Sequence, residues 1–127
     1  MADRKTVLVV DDASLVRLFY RSALQKAGFD VEEAMNGLEA LEKLLTRPID
    51  LLIVDVNMPQ MDGFSFLAAV RQKEGPLAGI PALITSTESG EADFAAARVA
   101  GANFYLVNPI DPGTLVEFAT MFCGICR

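Results

Sequence analysis

Two hydrophobic periods alternate along this chain. Thr6-Val7-Leu8-Val9-Val10 and Leu51-Leu52-Ile53-Val54 are short, nearly unbroken apolar runs rich in β-branched residues, which predict strands covered on both faces. Each run ends in acid, Asp11-Asp12 after the first and Asp55 after the second. Between them Val16, Phe19, Tyr20, Ala23 and Ala27 recur at helical spacing, with Ser14 as N-cap and Gly28 as the stop. Residues 29–34 read as a short strand. Asn36-Gly37 then turns into a helix with Ala40, Leu41, Leu44 and Leu45 on one face, which Pro48 closes. Beyond Asp55, Pro59 and Asp62-Gly63 make a loop, and a helix over 63–73 faces Phe66, Leu67 and Val70 inward.

The second half repeats the rhythm. Residues 74–79 are a Gly- and Pro-containing loop, and a fourth strand covers 81–85, with Pro81 suited to its first position. Ser86 to Gly90 is a polar loop that leads to an alanine-rich helix over 91–100. Its weak apolar stripe marks it as the most mobile of the helices. Gly101 ends it. A fifth strand spans 103–107, broken by Asn108-Pro109, and a last helix over 112–122 turns Leu115, Phe118, Ala119 and Phe122 inward. Five strands alternating with five helices, joined by right-handed crossovers, predict an α/β fold: a parallel sheet covered on both sides. No repeat or linker interrupts it. A single domain over residues 1–127 is expected, with nothing left over for an output domain.

Composition narrows the function. A chain of 127 residues, 52% hydrophobic and 22% charged, buries a full core without staples or metals. A formal charge of −6, with Lys and Arg scattered, argues against a nucleic-acid surface. No apolar run reaches membrane-spanning length, and Val7 to Val10 is too short for a signal-peptide core. A cytoplasmic protein with no membrane insertion is expected. Cys123 and Cys126 form a C-x-x-C, but they close a helix rather than open one, and no histidine completes a metal site. They read as ordinary thiols.

The acids carry the chemistry. In open α/β sheets ligands bind beyond the carboxyl ends of strands. Alone, Asp55 is as ordinary as any solvated strand end or helix cap. If the first and third strands are neighbours, however, Asp11, Asp12 and Asp55 converge at one edge. Two carboxylates about 4 Å apart repel by ~1 kcal/mol in bulk water and ~4 kcal/mol at an effective dielectric of 20. Crowding them is wasteful unless a cation binds, and an all-oxygen set favours Mg²⁺ over zinc. Such a metal commonly bridges carboxylate and phosphoryl oxygens. A Ser86 hydroxyl at the end of the fourth strand would stand at the same edge and can donate to a phosphoryl oxygen.

These residues, together with Asn57-Met58-Pro59, Gly63 and Tyr105, resemble the receiver domain of two-component response regulators, close to the single-domain chemotaxis type. The likeness runs almost end to end. It implies a flavodoxin-like, doubly wound (βα)5 sheet of strand order 2-1-3-4-5. It also implies that Asp55 accepts a phosphoryl group from a histidine kinase. Mg²⁺ would be held by Asp12 and Asp55 side chains, by the Asn57 carbonyl, and by Asp11 through water. Ser86 would hydrogen-bond the phosphoryl group, and Tyr105 would couple to Ser86 in reshaping the surface of helix four, strand five and helix five. Asn57 and Glu88 would tune the acyl phosphate's lifetime. Partners would be the kinase and a downstream protein target or phosphorelay partner. Such a protein is a phosphoacceptor that assists its own phosphotransfer and dephosphorylation, not an enzyme.

One family residue is missing. The lysine normal before the strand-five proline is Asn108 here, so an amide replaces a cation worth a few kcal/mol to a phosphoryl oxygen (about 2–3). Thr87 stands where small residues are usual and would narrow the way to Asp55. An atypical or weak switch is expected. A degenerate receiver, or a phosphate sink, that binds partners regardless of phosphorylation is the main alternative. Asp55-Val56-Asn57 also resembles the nucleophile motif of haloacid-dehalogenase-type phosphatases, but Asn57 cannot serve as its acid–base residue. A flavodoxin-type electron carrier needs a hydroxyl-rich phosphate loop where this chain has Asp11-Asp12.

Overall fold

The computed structural model describes residues 4–58, 61–73, 75–88 and 90–123. The two apolar runs become β1 (Thr6–Val10) and β3 (Leu51–Asp55), and both are buried almost throughout. Around them lie α1 (Ser14–Lys26), β2 (Asp30–Ala34), α2 (Gly37–Thr46), α3 (Gly63–Arg71), β4 (Ala82–Ser86), α4 (Glu91–Ala100), β5 (Phe104–Val107) and α5 (Pro112–Cys123). The sheet is wholly parallel, in the order β2-β1-β3-β4-β5. β1 and β3 are therefore side by side, Val10 level with Val54. This is the doubly wound, flavodoxin-like architecture.

Strand side chains alternate between faces, and each face has its own cover. Leu8, Val10, Leu52, Val54 and Ile84 pack with Ala40, Leu44, Phe66, Leu67, Val70 and Ala97 from α2, α3 and α4. Val7, Val9, Leu51, Ile53 and Leu83 pack with Tyr20, Leu24, Leu115 and Ala119 from α1 and α5. Burying an aliphatic or aromatic side chain of this size contributes about 1.5–3 kcal/mol. Breaking either layer would unfold the sheet.

Local chemistry sets the boundaries. Asn36 Oδ1 accepts from Glu39 N at 2.8 Å and Asp62 Oδ1 from Ser65 N at 2.8 Å, so both residues cap helices. Gly101 ends α4 at φ 102°, in the left-handed region that favours glycine. Several expectations shift. Ser14 is the first helical residue, not the cap; Ala13 holds that place, and its N–H donates to Asp11 Oδ1 at 2.9 Å. Leu45 is exposed, because α2 ends at Thr46 and Leu45 lies off its buried stripe. The loop expected over 74–79 contains a 3-10 turn, Gly75–Gly79. β4 runs one residue later than the proline suggested, ending in Ser86. Pro59 and Cys126 lie outside the described residues. Among the described residues no helix is long and apolar enough to cross a membrane.

Candidate functional site: an acidic cup at the carboxyl edge of the sheet

β1 and β3 end together, so their acids meet. One carboxylate oxygen from each of Asp11, Asp12 and Asp55 can be chosen so that all three lie within 4.8 Å of one another. Asp11 is buried, Asp55 half-buried and Asp12 exposed. The cup is thus walled below by the sheet and open above. The donor set is all hard oxygen, which suits Mg²⁺.

The electrostatic cost of this arrangement shows in Asp55. Its carboxyl is pushed up from 3.8 to about 7, first by burial and then by the charges of Asp11 and Asp12. The backbone N–H groups of Asn57 and Val56 pull it only part of the way back. Burial also raises Asp11, with Asp12 adding to the effect, while the Ala13 N–H and Arg17 oppose it. Arg17 is held for that task. Its Nη1 donates to the Asp11 carbonyl at 2.6 Å and its Nε to Glu33 Oε1 at 3.0 Å. Glu33 also accepts from Arg21, at 2.9 Å.

Gly63 braces the other side. Its N–H donates to the Val56 carbonyl at 3.0 Å. A Cβ there would drive into the Asp55 carbonyl oxygen and come within 3.0 Å of Val56 Cα. Only the absence of a side chain lets α3 begin so close to the end of β3.

Across the sheet, Asp55 is level with Thr85, and Ser86 is level with Val107. Ser86 is the buried last residue of β4, not a loop residue. Its Oγ accepts from Glu88 N at 3.1 Å, which leaves its own hydrogen free to donate elsewhere. Tyr105 O–H donates to the Glu88 carbonyl at 2.9 Å. Its ring meets Phe94 of α4 edge-on, centroids 4.8 Å apart. Ser86 and Tyr105 are therefore joined through the backbone of Glu88. Asn57 is exposed at the rim of the cup.

Asn108 stands just past β5, its N–H donating to the Ser86 carbonyl at 2.7 Å. Its Oδ1 accepts from the Tyr20 hydroxyl at 2.9 Å. Tyr20, Thr87 and Asn108 share the wall of an open groove of about 520 Å³ between α1 and the segment after β5. Helical spacing marked Tyr20 as core without showing that its hydroxyl reaches the site. Thr85, expected in the fourth strand, lies in β4 and is fully buried, its Oγ1 without a hydrogen-bond partner. A polar residue inside an apolar strand was the one available signal for it.

A family model for the response regulator receiver domain matches residues 7–120. The chain belongs to that family. This receiver is 40% identical to chemotaxis protein CheY1 of Helicobacter pylori over 120 residues, covering 93% of this chain and 96% of that one. It is 40% identical to the chemotaxis protein CheY homolog of Campylobacter jejuni over 114 residues, 87% of this chain and 86% of that one. Among solved structures it superposes on chemotaxis protein CheY4 of Vibrio cholerae with a TM-score of 0.88 at 36% identity, covering 94% of this chain and 99% of that one. A putative response regulator from Chloroflexus aurantiacus gives a TM-score of 0.89 at 33% identity over 96% and 99% of the two chains.

Among the described residues the one cysteine is not activated. Cys123 closes α5, and burial, then Asp50, pushes its thiol up to about 11. That is the opposite of an activated redox cysteine.

Proposed function

We propose that this receiver takes a phosphoryl group on Asp55 from a phosphohistidine of a sensor kinase and signals through its α4-β5-α5 surface, as its chemotaxis-named relatives suggest. The observation that carries the reading is the convergence of Asp11, Asp12 and Asp55 on one point at the ends of β1 and β3, next to the strand that ends in Ser86.

Asp55 supplies the attacking oxygen. As its Oδ–P bond forms, the bond from phosphorus to the donor nitrogen breaks, and the electron pair leaves with the imidazole. Asp12 and Asp55 would hold Mg²⁺ by their side chains, Asn57 by its carbonyl and Asp11 through water. A bound Mg²⁺ would neutralise charge on both the carboxylates and the phosphoryl oxygens. Ser86 donates to a phosphoryl oxygen. In doing so it pulls on the Glu88 backbone, to which Tyr105 is tied, and so biases the packing of Tyr105 on Phe94. Asn57 and Glu88 flank the path of attacking water and set the lifetime of the acyl phosphate, and Thr87 narrows that path.

Acetyl phosphate with Mg²⁺ should add the mass of one phosphoryl group to the intact protein and none to Asp55→Ala. Equal labelling of both proteins, or of neither, overturns the reading. The absence of a lysine at Asn108 favours one alternative, a degenerate receiver that binds partners without phosphorylation. The same mass measurement separates the two.

A further inference from the structure

Three polar side chains that motif reasoning leaves unconnected meet on the α1 side of the acidic cup. Tyr20 is 2% exposed, deep under α1. Its hydroxyl donates to Asn108 Oδ1 at 2.9 Å, across 88 residues of chain. Thr85 lies level with Asp55 in the sheet, and its Oγ1 is fully buried without a partner. It sits near enough to the Tyr20 hydroxyl to favour its charged form, but not in a geometry that makes a hydrogen bond.

The bond orients the amide. A carboxamide has one accepting end and one donating end. Tyr20 keeps its proton at neutral pH, since burial above all, with Asp11 and Asp55 adding to it, pushes its hydroxyl up to about 12. With Oδ1 turned toward that proton, the two hydrogens of the Asn108 NH2 are left for something else. The Tyr20 hydroxyl that holds the amide already feels the charges of Asp11 and Asp55, so a phosphoryl group on Asp55 would be served by a donor here and opposed by a second acceptor.

We propose that Tyr20 is a positioning residue: its hydroxyl holds the Asn108 amide so that the NH2 group is presented to a phosphoryl group on Asp55, doing with a neutral donor what a lysine would do with a charge. This inference rests on the phosphoacceptor reading above. The amide arm is shorter than a lysine and uncharged, so its worth depends on being held in place rather than on long-range attraction. A free asparagine would lose that worth to rotation and to bonding its own backbone.

The test compares wild type with Tyr20→Phe, Asn108→Ala and the double variant, all in saturating Mg²⁺. Beryllofluoride, a phosphoryl mimic, is titrated by fluorescence or calorimetry, and Mg²⁺ affinity is measured separately. Tyr20→Phe removes one oxygen and keeps the ring, and thermal melting confirms that each variant is folded. Beryllofluoride binding should weaken about tenfold in Tyr20→Phe, with Mg²⁺ affinity unchanged. The double variant should bind it no worse than Asn108→Ala alone, because the two residues act as one unit.

A loss under about twofold in Tyr20→Phe overturns the proposal. So do additive losses in the double variant, or a parallel fall in Mg²⁺ affinity, which would mark a general structural role. If wild type neither binds beryllofluoride nor is labelled on Asp55, the phosphoacceptor reading falls and this inference falls with it. Failure of Tyr20→Phe alone leaves that reading standing.

Discussion

At the scale of single residues, two positions set the site. Gly63 gives up its side chain so that α3 can start against the Asp55 carbonyl, and nothing near it is a flexible tip that could move aside. Gly63→Ala should cost about 2–4 kcal/mol in urea unfolding. A wild-type midpoint would mean that the β3 end yields easily. Asp55 gives a pH signature. Its carboxyl titrates near 7 in the fold against 3.8 ordinarily. Between those values the metal-free fold holds a proton that the unfolded chain has lost, so stability falls as pH rises through that window. The full linkage shrinks to about 1–2 kcal/mol because the group is half open to water. In chelator, the melting temperature should be higher at pH 5.5 than at pH 8, and Asp55→Asn should flatten the difference. An unchanged slope in Asp55→Asn would place the titration elsewhere.

At the scale of elements, the α3–α4 side is tied by one side chain. Arg71, at the end of α3, donates to the Gly101 carbonyl at 2.9 and 2.7 Å and to the Ile80 carbonyl at 2.6 Å. It also reaches the Ala78 carbonyl at 3.0 Å and Asn103 Oδ1 at 3.1 Å. One guanidinium thus joins the 3-10 turn, the entry to β4 and the C-terminus of α4, and burial lowers its pKa. Arg71→Leu should destabilise by about 2–3 kcal/mol by chemical denaturation, because several acceptors lose a charged donor at once. A cost below about 0.5 kcal/mol would show that water replaces it. This contact was not legible from periodicity, which shows the face a residue occupies and not what its far end touches. Phe66, Leu67 and Val70 on the same helix were legible, because burial follows spacing alone.

At the scale of the whole molecule, the chain is anionic and concentrates three carboxylates at one sheet edge. Divalent metal should therefore act as a folding ligand. Adding Mg²⁺ at a hundred times its dissociation constant should raise stability by about 2.7 kcal/mol. Asp12→Asn should lose most of that gain while melting at or above the wild-type temperature in chelator, since one repelling charge is gone. A Mg²⁺ response undiminished in Asp12→Asn would remove Asp12 from the metal set.

Residue order alone determined the alternation of strands and helices and the acids at the ends of β1 and β3. Those features are local: periodicity, caps and breakers act within a few residues. Neighbouring β1 and β3 came from resemblance to a family, and packing realised it, bringing Asp11, Asp12 and Asp55 within one ion's reach. Only the tertiary structure decided that Tyr20 meets Asn108, that Thr85 is sealed inside, and that Ser86 and Tyr105 share the Glu88 backbone. Those contacts join residues by the folding of a sheet, and no spacing along the chain encodes the direction in which a buried hydroxyl points.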